Sequence, residues 1–467
     1  MKKVTLILIL LASFRLSSQS ISSTSINNKH LTETTKNNSI DSIIQRCISE
    51  INQDSIKATM QYLQDFGTRF SLAPNRKEVA SWIQNKFISM GYNTVLDSFE
   101  LITHCTLSFC HDTNTYTTMQ YNVVATKQGS VNPDKEYIIG GHYDSYSTNN
   151  PMIFAPGADD DASGVAAAIE IARVMKKINY NSESTIKFIA FAAEEGRYHT
   201  NLFGGSEHSA IDAVNNHENI GFMLTNDMIA NNPTDTVWKL KINYNDNSGW
   251  IVQLADYICL SYTNLTPIHI YNTIGADDHT YWQVGYNTLY MCENEELTPI
   301  NHSDADTVGN CNMAYCAEIT KVSAGMLIKA SESPANIKNL FIVNPGGGHT
   351  LKPTWNGNFE GNLTGYKVYI GRSPSAYDSV VMTTDTFYTF NNLINDTLYY
   401  IGVTAINNRG AESYIVEKSD APGLAPLNEG ILIVKDSKLG IQISSEQQLD
   451  DFYNEMCEGF SHSQYDA

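Results

Sequence analysis

Apolar positions along the chain follow two rhythms. Between residues 51 and 66, and again after Pro74 where Val79, Trp82, Ile83, Phe87 and Ile88 recur, they repeat at helical spacing; Gly91 closes the second run. Residues 121–124 and 137–139 are instead short apolar runs with strand character. A helix over 166–175 follows three consecutive acids, and 185–193 returns as a continuous apolar strand of the kind buried on both faces. Residues 222–224 repeat that pattern. Strand, loop, helix, strand predicts an α/β sheet covered on both sides. Ligands of such sheets gather beyond the carboxyl ends of the strands.

The rhythm changes near Ser331. From 334 to 422 the chain shows short strands and Gly/Asn/Pro turns; Trp355 and the runs 365–369 and 399–405 have β character, which predicts a small β-sandwich. Residues 423–467 hold a strand candidate at 431–434 and a helix candidate at 447–456. They read either as the opening of a further α/β unit or as a linker tail.

At the other end, Lys2-Lys3, the apolar stretch 4–11 and Ser17-Ser18-Gln19-Ser20 read as a signal peptide over 1–19. The alternative is a membrane anchor, but the stretch falls short of the roughly 20 residues a spanning helix needs. A Ser/Thr/Asn-rich continuation makes 20–50 a leader or prosegment, and the expected product is secreted, without stable membrane insertion. A length of 467 residues suits two or three domains, and an apolar share of 42% supports large cores. A formal charge of -20 argues against nucleic acid as a partner. Of the 8 cysteines, Cys105/Cys110 and Cys311/Cys316 are near enough in sequence to suggest local bridges. Cys47, Cys259, Cys292 and Cys457 then pair among themselves or stay free. No Cys-x-x-Cys pair occurs, which disfavours a thiolate zinc site.

The chemistry lies in short islands at strand ends. His142-x-Asp144 follows Gly140-Gly141, and a ligating imidazole needs its second nitrogen held. Asp159-Asp160-Asp161 stands between Gly157 and Ser163-Gly164, small residues that let backbone pack close to a cation. Taken alone, such a triplet is ordinarily a solvated turn or an acidic helix start. Glu194-Glu195 ends the apolar run 188–193. Two carboxylates there are costly to bury unless positive charge is supplied, and a cation on one leaves the other free as a base. Asp227 closes another apolar strand and His302 sits in a polar loop; singly, neither is informative.

Together the islands resemble the co-catalytic zinc aminopeptidases of the bacterial leucyl aminopeptidase type, over about residues 51–330. The matching motifs are Gly-Gly-His-Tyr-Asp-Ser, Pro-Gly-Ala-Asp-Asp-Asp-Ala-Ser-Gly, Ala-Ala-Glu-Glu, Asn-Asp-Met and His302-Ser303-x-x-Asp306-Thr307. The resemblance implies a mixed-sheet α/β/α sandwich binding two Zn2+ per chain. Asp160 would bridge both metals, His142 and Asp227 would complete one site, and Glu195 and His302 the other. Glu194 would be the general base and Asp144 the residue supporting His142. Substrates would be peptide or protein N-termini. This chain departs from the family in the residues 197–203 inserted after Glu194-Glu195, and before Ala276-Asp277-Asp278-His279, where some relatives carry a tyrosine and a disulfide. Residues 334–422 resemble a fibronectin type III domain, with Leu393, Thr397 and Tyr399 in tyrosine-corner positions, and suggest contact with a polymer or surface. Two other functions fit the islands less well. One is a glutaminyl cyclase, which uses a single zinc; the other is a non-catalytic binding protein, which has no need of Glu194.

Overall fold

The computed structural model describes residues 40–104, 115–195, 204–231, 237–272, 275–294 and 300–423. The expected signal peptide, most of the leader, Cys105 and Cys110, the inserted residues 197–203 and the elements expected beyond 423 lie outside these. The described part begins inside the stretch read as a leader. Helix α1, Ile40–Ile48, buries Ile44 and Cys47, because its apolar residues recur at helical spacing within a polar composition.

Helix α2, Gln53–Asp65, starts where the Asn52 side chain accepts from Asp54 N and Ser55 N. Helix α3, Arg76–Ser89, buries Val79, Ala80, Ile83 and Phe87. Ile88 falls on its outer side, and Trp82 stacks on Tyr62 with ring centroids 4.3 Å apart. Gly91 ends this region with φ 84°.

Eight strands form the main sheet: β1 Asn93–His104, β2 Thr115–Lys127, β3 Asn132–His142, β4 Ser184–Phe191, β5 Asn219–Asn226, β6 Lys239–Tyr244, β7 Thr266–Tyr271 and β8 Thr288–Glu293. Their order is β1-β2-β4-β3-β5-β8-β6-β7. The central strands β4, β3, β5 and β8 run parallel; β2, β6 and β7 run against them and make the sheet mixed. Strands β2 and β3 are longer than their apolar runs because only their inner stretches are buried.

Alternation along the central strands builds two cores. Ile139, Phe188, Ala190, Phe222 and Leu224 join one cluster with α1 to α4 (α4 is Ala162–Lys177) and with helices Gly249–Tyr262 and Met313–Glu332. Ile138, Ile189, Phe191 and Met223 join the other, with Ala210 and Ala213 of helix Gly205–Asn215 and Tyr281 of helix Asp278–Gln283. The result is an α/β/α sandwich. None of the described helices is long and apolar enough to cross a membrane.

Close approach at the start of α4 depends on glycine. A Cβ at Gly164 would lie 2.0 Å from the Asn226 carbonyl oxygen at the end of β5. Gly164→Ala is therefore expected to destabilise the fold by about 1–3 kcal/mol, as overpacking does, read as a lower urea midpoint.

Cys311 and Cys316 do not form the expected bridge; both are free. Cys311 precedes the last helix and its Sγ donates to the Thr307 carbonyl at 3.5 Å, whereas Cys316 is buried on that helix's first turns. The onset of the helix sends the two side chains to different partners.

After Met313–Glu332 the chain forms an all-antiparallel unit. Strands β9 Phe341–Val343 and β10 Lys352–Thr354 pair, and β11 Leu363–Gly371, β12 Ser379–Thr383, β13 Tyr399–Asn407 and β14 Val416–Asp420 form a sheet of order β12-β11-β13-β14. Trp355, Tyr366, Val368, Ile401 and Val403 fill its core. Ile394 N donates to Tyr399 Oη at 3.1 Å, which joins the tyrosine to backbone a few residues upstream.

This unit is clasped to the sandwich. Arg409 bonds Glu332 through Nη1 and lies 3.2 Å from Glu183 Oε1 through Nε. Asn407 Nδ2 donates to Glu183 Oε2 at 3.1 Å and to the Glu332 carbonyl at 2.9 Å. Both glutamates are buried.

Candidate metal centre

The carboxyl ends of β3, β4 and β5 converge, as the sheet topology requires. His142 is the last residue of β3 and is buried. Its Nδ1 lies 3.1 Å from the Asp144 carbonyl oxygen, which can only accept, so Nδ1 is the donor. That leaves Nε2 facing Asp160 Oδ1 at 3.1 Å and Asp227 Oδ1 at 3.7 Å.

The three adjacent acids divide the work. Asp161 caps α4, accepting from Gly164 N at 2.7 Å, and its other oxygen accepts from His142 N at 3.1 Å. Asp159 Oδ1 accepts from Ala230 N at 2.7 Å. Asp160 alone turns both oxygens into the centre: Oδ1 to the His142 side, and Oδ2 to His302 Nε2 at 3.1 Å. The acidic helix start thus falls to Asp161, while Asp160 is the one of the three grouped with the other candidate ligands.

Beyond β4, Ala193 takes a left-handed φ of 62° and turns Glu194 and Glu195 inward. Met228 and His302 are left-handed too, at 54° and 52°. Such conformations cost about 1–3 kcal/mol each and cluster where a site imposes them. Glu195 Oε1 is 3.0 Å from His302 Nε2. Two triads result, His142–Asp160–Asp227 and Asp160–Glu195–His302, each with its ligand atoms within 4.8 Å of one another. A third grouping places Glu194 with His142 and Glu195.

Asp144 supports more than the imidazole. Its carboxylate accepts from Glu194 N at 3.0 Å and Glu195 N at 3.1 Å, while the nearest contact to His142 comes from its backbone carbonyl. One residue therefore ties the end of β3 to the turn after β4. Asp144→Asn would set an amide NH2 against a backbone N–H. It is expected to lower metal affinity by about 10–100-fold, as loss of an outer-sphere partner does, measured by competition with a zinc chelator.

Electrostatics point to a demand for cations. Burial opposes a charged His142, but the nearby carboxylates of Asp144, Asp160 and Asp227 outweigh it and lift its pKa well above 6.5. Burial likewise opposes a charged His302, yet Glu195 and Asp160 push it up to about 12. Burial would raise Asp160, but the two imidazoles hold it below the usual carboxylate range. Glu195 Oε2 and Asp227 Oδ1 are buried without a hydrogen-bond partner. One His and one carboxylate on each side of a shared Asp160 make a donor set that fits Zn2+.

Several contributors had little or no sequence signal. Asp306, inside the His302 motif, accepts from Asp159 N at 2.8 Å and Asp160 N at 3.1 Å and fixes the triplet's backbone. Asn301 Nδ2 donates to Asp160 Oδ2 at 3.0 Å. Arg69 is buried and donates to the carbonyls of Tyr143, Leu63, Pro156 and Gly157. Burial lowers its pKa to about 10, against the attraction of four site carboxylates, so it stays a cation beside the acidic centre. Asp277 is fully buried, and burial raises it to about 7, with His142 opposing. Tyr271, in the stretch where some relatives carry a tyrosine, is exposed and donates to Asp246 Oδ1 at 3.0 Å.

The sequence profile of peptidase family M28 matches residues 122–327. A probable zinc metalloprotease of Pyrenophora teres f. teres is 35% identical over 210 residues, 42% of this chain and 42% of that protein. The match thus spans under half of that relative's own length. Another of Pyrenophora tritici-repentis is 31% identical over 357 residues, covering 65% of this chain and 71% of that one. An aminopeptidase from Aneurinibacillus sp. strain AM-1 shares the fold with TM-score 0.51 at 17% identity, over 62% of this chain and 96% of that one. A Legionella pneumophila aminopeptidase does so with TM-score 0.50 at 18% identity, over 65% and 79%.

Proposed function

Since this chain belongs to peptidase family M28, we propose that it is a zinc metallopeptidase, a secreted aminopeptidase that hydrolyses N-terminal residues from peptides at a two-zinc centre. The observation that carries this reading is the placement of Asp160, whose two oxygens face opposite His-containing triads. His142 and Asp227 would hold one ion, Glu195 and His302 the other, and Asp160 both.

When bound, the zinc pair supplies Lewis acidity to the scissile carbonyl and eases deprotonation of water. Glu194 is the group that takes the proton from the attacking water and returns it to the leaving amine. Its position supports this, because its backbone is pinned by Asp144 and its neighbour Glu195 is the one that reaches His302. Asp144 keeps the imidazole and the Glu194–Glu195 turn in one register. Secretion rests on residues 1–19 of the sequence.

The test uses chelator-treated full-length protein reloaded with zinc and offered peptides with free or acetylated N-termini. Stepwise release of single residues from the free-amine peptides alone is expected. Internal cleavage of acetylated peptides would refute the exopeptidase reading. Ring closure of an N-terminal glutamine without shortening of the peptide would transfer the site to glutaminyl cyclase chemistry.

A further inference from the structure

A second set of metal-ligand side chains lies outside the Asp160 centre. Asp97 on β1 and Asp212 on helix Gly205–Asn215 both face His208 of that helix. His208 Nε2 is 3.1 Å from Asp97 Oδ1 and 3.5 Å from Asp212 Oδ2, and the three ligand atoms lie within 4.8 Å of one another. His208 and Asp212 are four residues apart, hence on one helix face. The His208 ring stacks on Phe99, with centroids 4.8 Å apart and 21° between planes, which fixes the direction of Nε2.

A single Nε2–H serves one carboxylate at a time, and Asp97 is the nearer. The arrangement thus leaves Asp212 beside the nitrogen without a proton to share. A cation resolves this by accepting all three donors. Zinc bonds of 2.0–2.1 Å place neighbouring tetrahedral ligand atoms about 3.3 Å apart, and the observed separations of 3.1 and 3.5 Å straddle that value. Each half of the Asp160 centre uses the same ligand chemistry, one imidazole and two carboxylates. All three side chains keep some exposure, so a fourth position is open to water.

We propose that Asp97, His208 and Asp212 form a further divalent-cation site, suited to zinc, that fastens the helix following the Glu194–Glu195 turn onto β1. Hydrogen bonds link it to the strand that leads into Glu194 and Glu195. Asn122 on β2 lies opposite Asp97 in register. Its Oδ1 accepts from Ala192 N at 3.0 Å and its Nδ2 donates to the Gly205 carbonyl at 2.8 Å. Gly205 N donates to the Ala192 carbonyl at 2.7 Å. A cation at Asp97–His208–Asp212 holds the far side of the same junction.

The experiment compares zinc content per chain, by mass spectrometry after equilibration at micromolar free zinc, in wild type, Asp212→Asn and His208→Gln, with the unfolding temperature followed through a zinc titration. Each variant should bind one zinc fewer than wild type and lose the part of the zinc-dependent thermal shift that needs the higher zinc concentrations. Because the readout is a difference between proteins, it stands whatever the occupancy of the Asp160 centre. Asp212 is largely exposed, so Asp212→Asn should fold normally, as circular dichroism would verify. Equal zinc content in wild type and Asp212→Asn overturns the site and leaves a histidine–aspartate ion pair.

Discussion

Glu194→Gln is expected to lower kcat by about 100- to 10,000-fold, the range attributable to a general base, with zinc content unchanged. The substitution keeps size and shape and removes the ability to take a proton. Glu194 is buried, and glutamine fills the same volume. It is absent from both Asp160 triads, although it lies among ligand atoms with His142 and Glu195. Steady-state kinetics and metal analysis on the same sample separate the alternatives. A base lost gives inactive protein with full metal. Loss of an ion together with activity would show that Glu194 is a ligand and that the proton acceptor is elsewhere.

Asp160→Ala should remove both ions together and abolish turnover. Each triad contains Asp160, and each would be left with one imidazole and one carboxylate. The loss of affinity should exceed the roughly 10–100-fold that follows removal of an outer partner. Asp227→Asn and Glu195→Gln should each weaken one ion only. Zinc binding followed by calorimetry gives the pattern, and retention of one tight ion in Asp160→Ala would disprove the bridge.

Much of this centre could be read without the fold because its residues stand at ends of apolar runs. Glu194-Glu195 after 188–193 is the clearest case, since two charges closing a buried strand require compensation. The Asp triplet was legible as an island but not in its division of labour; only packing against Gly141, Gly164 and Ala230 distinguishes Asp161 and Asp159 from Asp160. Arg69 left no trace, because its partners are carbonyl oxygens and every residue has one. The leftward turn at Ala193 was equally silent, as alanine has no preference for that conformation. In the fold, the parallel middle of the sheet showed through its continuous apolar strands. Helix Met313–Glu332 is buried on nearly all sides, Thr320 and Ser323 included, and so lacks the one-sided stripe by which a surface helix is recognised.

The clasp at Arg409 bears on how the chain can be divided. An expression boundary drawn after Ser333 would keep every candidate ligand and the proposed base. It would also strip the guanidinium from Glu183 and Glu332, together with both amide bonds from Asn407. Two acids of the sandwich would then lose their counter-charge and the amide that covers them. Composition shifts at residue 331, but the charge balance does not: the trailing β unit is modular in sequence yet supplies the cation that neutralises two buried acids of the sandwich.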